Sequence, residues 1–291
     1  YPAFSLEDYL AGVATPVFFG SAINNFGVRE LLDGMVAFAP SPTPKASAER
    51  EVSPYEEKLT GFVFKIHANL NPNHRDRIAF LRICSGKFER NKMYLHTRSG
   101  KTFRSANPTA FMAQNREIID EAYAGDIIGI HDTGTFAIGD TITEGESLSY
   151  KGIPSFAPQI FKVIRNTDPL KEKQFHKGLN QLAEEGVAQI LSKMTNPNTR
   201  VLGVVGQLQI EVLKSRLEYE YGASCAYGPV DYSIARWFAS KDPKVLKACI
   251  DEHHRRILVD IRGGHILMFE SEWQMERVIL KNPEISFHST S

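Results

Sequence analysis

Two Gly-Lys pairs are the residues of this chain that come nearest to a phosphate-binding loop. Such a loop in a GTPase needs the spacing G-x-x-x-x-G-K-[ST], because its backbone amides and its lysine surround the phosphates. Gly100-Lys101-Thr102 has Leu95 where the first glycine is required. Gly86-Lys87-Phe88 has Leu81 there and also lacks the hydroxyl. We therefore expect both pairs to form turns between strands, and we expect no catalytic residue for GTP hydrolysis in this chain alone.

Other fragments of nucleotide motifs carry no catalytic prediction. Two D-x-x-G strings occur, at residues 126–129 and 260–263. A four-letter pattern with two open positions arises by chance, and neither string accompanies a phosphate loop. The residues that follow Gly86-Lys87 contain Asn91-Lys92-Met93-Tyr94, which lacks the aspartate of the guanine-specificity motif N-K-x-D.

The sequence also gives little support for a metal site, a disulfide or a nucleophilic catalytic residue. Four histidines fall in the region of residues 59–150, yet no H-x-H pair occurs and no carboxylate stands at ligand spacing, so we predict no metal site. The three cysteines, Cys84, Cys225 and Cys249, are few and far apart, which indicates buried free thiols in a reducing cytosol. No Ser/His/Asp or Cys/His arrangement can be singled out from spacing. No apolar run reaches the length of a membrane span, and no signal peptide is recognised.

Charge is strongly segregated although the formal net charge is zero. Residues 74–104 contain nine cations and two acids, a net charge of +7. Residues 105–150 contain one cation and eight acids, a net charge of −7. A cationic segment of this density suits phosphate contacts with structured RNA. The alternative is that the two segments neutralise each other across neighbouring strands, and the residues alone leave both interpretations open.

The elements that would position these residues fall into four regions. Residues 16–20 are predicted to form a short apolar strand, followed by the small residues Ser21 and Ala22 and a helix capped by Asn25. Residues 39–58 carry four prolines and no periodicity, which predicts a semi-extended interdomain linker. Many short strands with close turns in residues 59–150 predict a closed β-barrel. Residues 151–291 mix helical and strand patterns, which predicts an α+β domain with an antiparallel sheet.

Long ordered motifs in this chain resemble the translational GTPases. RIAFLRICSGKF, at residues 77–88, looks like the signature of their second domain, and GDIIGI and IGDTI match later strands of the same barrel. GVVGQLQIEVLKSRLEYEYG, at residues 203–222, is similar to the third-domain motif of elongation factor G and its relatives. PVFFGSAINNFGV and GIPSFAPQIFKVIRNTDPLKEKQFHKGLNQLAEEG look specifically like the class II release factors, the peptide chain release factor 3 family.

This resemblance implies an architecture and a function. Residues 1–38 would be the last strand and helix of a P-loop GTPase domain, whose GTP or GDP and Mg would be held mainly by upstream residues. Ser21 and Ala22 align with the guanine-contacting motif, and they would be the only part of the nucleotide site that this chain carries. This chain alone is therefore expected to bind no cofactor. The intact protein would be a cytoplasmic, monomeric bacterial GTPase that promotes dissociation of class I release factors from the ribosome.

Ribosome contact is the role that the resemblance implies for the barrel. It would touch the RNA and proteins of the small subunit, and the third domain would relay the nucleotide state. The candidate RNA contacts are cations at or near turns: Arg75, Arg77, Arg90, Lys92, Arg98 and Lys101.

Three other interpretations stay open. The chain could be a stand-alone, non-enzymatic RNA-binding or scaffold module, which would be stable and active by itself. It could come from another translational GTPase such as elongation factor G, which has two further domains after the third. A metal-dependent barrel enzyme is the third class, and metal analysis of the purified chain would dismiss it.

Overall fold

The computed structural model describes residues 3–68, 77–112, 115–150, 157–261 and 263–289. The chain begins with two helices, α1 (Leu6–Leu10) and α2 (Val28–Phe38). Ser5 caps α1 by accepting a hydrogen bond from the Asp8 amide at 3.2 Å. The helix predicted after Ser21 and Ala22 forms as α2, whereas α1 was not predicted.

Residues 16–20 do not form the predicted strand. A strand needs a hydrogen-bonded neighbour, and none of the described residues supplies one here. The chain instead turns back on itself, and Ser21 and Phe26 exchange backbone hydrogen bonds of 2.8 and 3.1 Å. The predicted cap is also wrong. Asn25 lies inside this turn at φ 50°, and the N-cap is Gly27 at φ 69°. A Cβ on Gly27 would lie 2.2 Å from the Phe19 carbonyl oxygen, so glycine fixes where α2 begins.

This N-terminal segment exposes large apolar side chains. Phe19 is 82% exposed, Ile23 98% and Val36 90%. Exposed apolar groups in such density are typical of surfaces that bind another domain or molecule.

Residues 39–58 are more ordered than a linker. Strands β1 (Lys45–Ala46) and β2 (Glu51–Val52) pair antiparallel, and Ser47 bridges to Tyr150. Val52 is fully buried in a cluster with Cys84, Leu148 and Tyr150. The segment therefore packs on the strands that follow it.

Within the described residues, ten strands build the predicted barrel region. They are β3 (Thr60–Ala68), β4 (Arg77–Ser85), β5 (Lys87–Glu89), β6 (Met93–His96), β7 (Lys101–Arg104), β8 (Thr109–Met112), β9 (Asn115–Ile118), β10 (Glu121–Tyr123), β11 (Ile127–His131) and β12 (Thr141–Thr143). Eight of them form one antiparallel sheet in the order β7-β6-β12-β3-β4-β11-β8-β9, and β5 pairs with β10.

The eight-stranded sheet curls around one core. Tyr94 on β6 and Ile128 on β11 lie four strands apart in the sheet, yet both belong to the same buried cluster. Tyr94 stacks on Phe88 with ring centroids 5.0 Å apart. Within the described ranges, the edge strands β7 and β9 do not pair with each other, so the ladder is not closed in the way that the strand pattern predicts. Backbone hydrogen bonds from Arg90 and Asn91 to Asp120 and Ser105 bridge part of this gap.

A second eight-stranded antiparallel sheet forms the rest of the chain, in the order β16-β13-β15-β14-β18-β19-β17-β20. Its first half contains β13 (Ile160–Asn166), α3 (Glu172–Glu184), β14 (Gln189–Lys193), β15 (Asn196–Val204), α4 (Gln207–Tyr221) and β16 (Cys225–Gly228). Its second half contains β17 (Ile234–Ala239), α5 (Pro243–His253), β18 (Ile257–Val259), β19 (His265–Phe269), α6 (Glu272–Lys281) and β20 (Ser286–His288).

Each half has its own helical layer. Leu179 of α3 and Leu213 of α4 pack on the strands of the first half, whereas Cys249 of α5 and Val278 of α6 pack on those of the second. A third buried cluster draws side chains from both halves and joins them on the other face of the sheet. Of the helices that the structure describes, none is long and apolar enough to cross a bilayer.

Candidate nucleic-acid interface

The basic and acidic segments of the barrel meet in space. Five cations of residues 74–104 form ion pairs with acids of residues 105–150: Arg77 with Asp132, Lys87 with Glu121, Arg90 with Asp120, Lys92 with Glu144, and Arg98 with Asp140. Mutual neutralisation therefore accounts for a large part of the charge segregation. The positive charge that is left over for RNA has to be located residue by residue.

Arg77 is the most buried of the predicted RNA contacts. Its Nε lies 2.6 Å from Asp132 Oδ2, its Nη2 donates to the Phe136 carbonyl oxygen at 2.8 Å, and its Nη1 pairs with Glu184. Burial alone would lower the pKa of this guanidinium, but the hydrogen bonds to Glu184 and Asp132 outweigh it and raise the pKa. With 9% of the side chain exposed, Arg77 has no face left for RNA. We therefore leave it out of the proposed interface.

Arg90 and Lys92 are half-buried at the β5–β6 turn. Arg90 donates from Nε to the Ala106 carbonyl oxygen at 2.6 Å. Lys92 Nζ lies 2.6 Å from Glu144 Oε1 and 2.9 Å from Glu89 Oε2, and these two hydrogen bonds raise the pKa of the amine. Both side chains keep about a third or more of their surface exposed, 35% and 40%.

Arg98 and His96 converge on one buried carboxylate. Arg98 donates to both oxygens of Asp140, at 2.5 and 2.8 Å. Burial would raise the pKa of Asp140, but the bonds from Arg98 and from the Ala137 amide outweigh it and lower the pKa. His96 Nε2 lies 2.8 Å from Asp140 Oδ2, and His96 Nδ1 lies 3.0 Å from Ser99 Oγ. This contact chain anchors the β6–β7 turn. Residue spacing provides no signal for it, because Asp140 lies more than 40 residues away.

Among the cations of residues 77–104, all of which the structure describes, three keep a free positive charge. Arg82, Lys101 and Arg104 are exposed, and no ion pair to them occurs within the part of the chain that the structure describes. Of the five predicted contacts that the structure describes, Lys101 is thus the one with a free cation, and Arg104 is an addition that the structure makes. Arg75 lies outside the described residues.

A cleft of about 420 Å³ opens beside Lys101. One wall is the β6–β7 hairpin with the residues after it, and the other is the loop that follows β11. Its lining includes Ser99, Lys101, Thr102, Arg104, His131 and Thr135. No residue pattern in the sequence points to this cleft, because its walls come together only when the sheet curls.

Ser21 and Ala22 lie at the start of the turn that precedes α2. The Ser21 amide donates to the Phe26 carbonyl oxygen, and Ser21 Oγ accepts from the Asn24 amide at 3.4 Å. Ala22 is exposed, and its small side chain leaves the turn accessible. Their part in guanine binding stays a proposal.

The remaining motif fragments have structural roles. Gly86 and Gly100 both lie at positive φ in turns, as predicted for the two Gly-Lys pairs. Asp126 accepts the Tyr123 amide at 2.8 Å, and Asp260 accepts the indole of Trp237 at 3.1 Å. All three cysteines are buried free thiols. Among the described residues, no cluster of three histidine, cysteine, aspartate or glutamate side chains is arranged to hold a metal.

Contacts also join the barrel to the region that follows. Glu185, just after α3, accepts the Ala68 amide of β3 at 3.1 Å and pairs with Arg216 of α4 at 2.7 Å. Together with the Arg77–Glu184 pair, this fixes the end of α3 against the barrel. The two regions therefore pack against each other at this point.

Comparison with known proteins identifies both regions. A family model described as "Class II release factor RF3, C-terminal domain" matches residues 150–279, and one described as "Elongation factor G domain 2" matches residues 58–145. A crystal structure of a protein from Thermus thermophilus is similar to this chain, with a TM-score of 0.61 at 20% sequence identity. The match covers 81% of this chain and 36% of the Thermus chain. That likeness concerns the fold alone. The predicted fold class, a translation-factor β-barrel followed by an α+β domain, is confirmed.

Two curated relatives are named peptide chain release factor 3, one from Bordetella pertussis and one from Bordetella bronchiseptica. Each is 46% identical over 288 residues, which is 99% of this chain and 54% of the relative. The chain thus spans about half the length of these relatives. Identity of this extent, with the two domain models matched in order along the sequence, shows that the chain is similar to about half of peptide chain release factor 3, a class II release factor.

Proposed function

We propose that this chain is the ribosome-binding part of a bacterial translation-termination GTPase. The observation that carries the proposal is the 46% identity to peptide chain release factor 3 over nearly the whole chain. The intact protein would bind GTP or GDP with Mg through residues outside this chain, with Ser21 and Ala22 contributing to the guanine site. It would act in the cytoplasm as a monomer and promote dissociation of class I release factors from the ribosome.

Each region has a proposed part in this activity. Residues 1–38 would complete the GTPase domain, which fits the apolar side chains that they expose. Residues 59–150 would contact the ribosomal RNA and proteins of the small subunit through the cations that internal ion pairs leave exposed: Arg90, Lys92, Arg98, Lys101 and Arg104. The α+β region from residue 151 to 291 would relay the nucleotide state through its contacts with the barrel. By itself the chain would hydrolyse no GTP, because it contains no phosphate loop.

Cosedimentation with 70S ribosomes across a salt series tests this proposal. The chain is assayed alone and with a separately produced GTPase domain of a relative. We expect binding that weakens steeply as salt rises, because RNA phosphates release counterions when cations displace them. Binding that is absent in both arms would contradict the proposal. A chain that binds free RNA but never ribosomes would favour the stand-alone RNA-binding module.

A further inference from the structure

The cleft beside Lys101 has two walls that are held rigid by buried carboxylates. Asp132 Oδ1 accepts the amides of Gly134, Thr135 and Phe136 at 2.9, 2.7 and 3.2 Å, which shapes the loop after β11. Across the cleft, Asp140 accepts a hydrogen bond from Arg98 and contacts His96. Between these two residues, the Thr97 amide donates to the Thr141 carbonyl oxygen at 3.1 Å. A binding site gains precision when its walls are fixed before the ligand arrives.

Neither carboxylate opposes an anionic ligand. Asp132 is paired with Arg77, and Asp140 is paired with Arg98, so each negative charge is already compensated inside the protein. Lys101 lines the cleft as an exposed cation, with Arg104 exposed three residues further on. The local potential at the cleft is therefore positive although the barrel as a whole is close to neutral.

Several of the other residues that line the cleft carry hydroxyl groups. Ser99, Thr102, Thr133 and Thr135 are all exposed and lie on both walls. Lysine and hydroxyl groups are the side chains that commonly contact phosphate and sugar in nucleic-acid complexes. Hydroxyls can also donate to and accept from a ribose 2′-OH, which distinguishes RNA from DNA. The volume of about 420 Å³ falls in the range of small-ligand sites and is far larger than a carboxylate needs.

We propose that this cleft binds one nucleotide of an RNA strand, with the phosphate at Lys101 and the ribose against the serine and threonine hydroxyls. This inference rests on the proposed function and adds the place on the barrel where RNA is held. It also assigns Lys101, among the predicted contacts, to a phosphate in this cleft.

Fluorescence anisotropy with a labelled octauridylate RNA tests the site, with a DNA octamer and a polyglutamate peptide as competitors. The variants are Lys101→Ala, the double variant Ser99→Ala with Thr135→Val, and the control Lys65→Ala. Lys65 is an exposed lysine of β3 that does not line the cleft. Lys65→Ala therefore removes the same charge as Lys101→Ala but leaves the cleft unchanged. Circular dichroism of each variant verifies that it is folded. Amide NMR shifts on RNA addition locate the contact in the described part of the chain.

We expect Lys101→Ala to weaken RNA binding about fivefold, the effect of losing one charge-assisted hydrogen bond at an accessible site. Its salt slope should fall by about 0.7, the value for one phosphate of a single strand. The hydroxyl variant should bind RNA more weakly and lose its preference over DNA, and Lys65→Ala should leave both quantities unchanged. NMR shifts should concentrate at residues 99–104 and 131–135.

Three results would overturn the cleft assignment: equal losses for Lys101→Ala and Lys65→Ala, equal competition by DNA against the unaltered chain, or displacement of RNA by polyglutamate at equal charge. Cosedimentation with 70S ribosomes separates this failure from that of the proposed function. If ribosome binding stays salt-dependent while the RNA assay fails, the cleft alone is wrong. If the RNA assay succeeds while ribosome binding is absent, the ribosomal role is wrong.

Discussion

The guanidinium of Arg77 on β4 forms an ion pair with Glu184, the last residue of α3, which lies 107 positions further along the chain. An acidic residue at this end of a helix opposes the helix dipole. The position of Glu184 is therefore unfavourable within α3, and its ion pair with Arg77 of the barrel offsets that cost. Arg77 also holds Asp132, so one buried side chain connects the loop after β11 with the end of α3.

We expect Arg77→Ala to destabilise the protein by about 3–5 kcal/mol, because it leaves the fully buried carboxylate of Asp132 without its partner. Urea unfolding measures this loss of free energy. Arg82→Ala is the matched control, since Arg82 is an exposed arginine of the same strand. Its cost should stay within about 0.5 kcal/mol. Similar midpoints for the two variants would contradict the role given to Arg77.

The Glu185–Arg216 pair tests how the end of α3, which contacts the barrel, is held against α4. Glu185 has 5% of its side chain exposed and Arg216 has 18%. A double-mutant cycle with Glu185→Gln and Arg216→Gln should give a coupling free energy of about 1–3 kcal/mol, as for contacting residues in one network. A parallel cycle on the exposed pair Arg29–Asp33 should give less than about 0.5 kcal/mol. Equal couplings would show that the first pair is no stronger than a surface contact.

The two Gly-Lys turns differ in how closely the backbone packs around the glycine. A Cβ on Gly86 would lie 2.4 Å from the Lys58 carbonyl carbon, whereas a Cβ on Gly100 would meet nothing within 4 Å. Gly100→Ala therefore bears only the cost of its positive φ, about 1–2 kcal/mol. Gly86→Ala should cost clearly more, because the Lys58–Leu59 backbone has to move. Thermal unfolding compares the two variants, and an equal loss would refute the packing described for Gly86.

Protonation of His253 should make the protein less stable in mild acid. Burial lowers the pKa of His253 below its ordinary 6.5, so the unfolded chain takes up a proton more readily than the folded chain. Its contribution to stability is present above pH 6.5 and is lost as the pH falls below that value. Replacing the histidine by glutamine removes this titration.

Measurement of the unfolding free energy at about pH 7.5 and about pH 5.5, on either side of the ordinary histidine pKa, checks the expectation. The difference between the two pH values should be smaller in His253→Gln than in the unaltered protein. The control His288→Gln changes an exposed histidine and should keep the full difference. If His253→Gln keeps the full difference as well, its buried imidazole does not contribute to the acid sensitivity.

Much of the fold could be predicted from local patterns. The many short strands predicted in residues 59–150 and the mixed helices and strands predicted in residues 151–291 are both found, because burial of one face leaves its trace in adjacent residues. Short strands such as β5, β7 and β10 carry too few residues for a periodic signal. Residues 16–20 show the opposite error. Their composition suits a strand, but strand formation depends on a neighbour that the local sequence does not specify.

The site could be predicted only in outline. Composition indicated where the cations are, but it did not reveal that Arg77 and Arg98 are committed to Asp132 and Asp140, since those partners lie 55 and 42 positions away. The cleft beside Lys101 was likewise not predictable, because it depends on how the sheet curls. Long-range pairing decides which charges remain available, and a single sequence does not contain that information in local form.

The most direct test of the central claim is the salt dependence of 70S ribosome binding after cations of the proposed interface are altered. The triple variant Arg90→Gln, Lys101→Glu and Arg104→Glu is compared with Lys65→Glu by cosedimentation, with the GTPase domain of a relative supplied. The claim that these cations hold the ribosome predicts a lower affinity and a salt slope reduced by about 2–3 for the triple variant alone. An unchanged affinity and slope in a folded triple variant would contradict it.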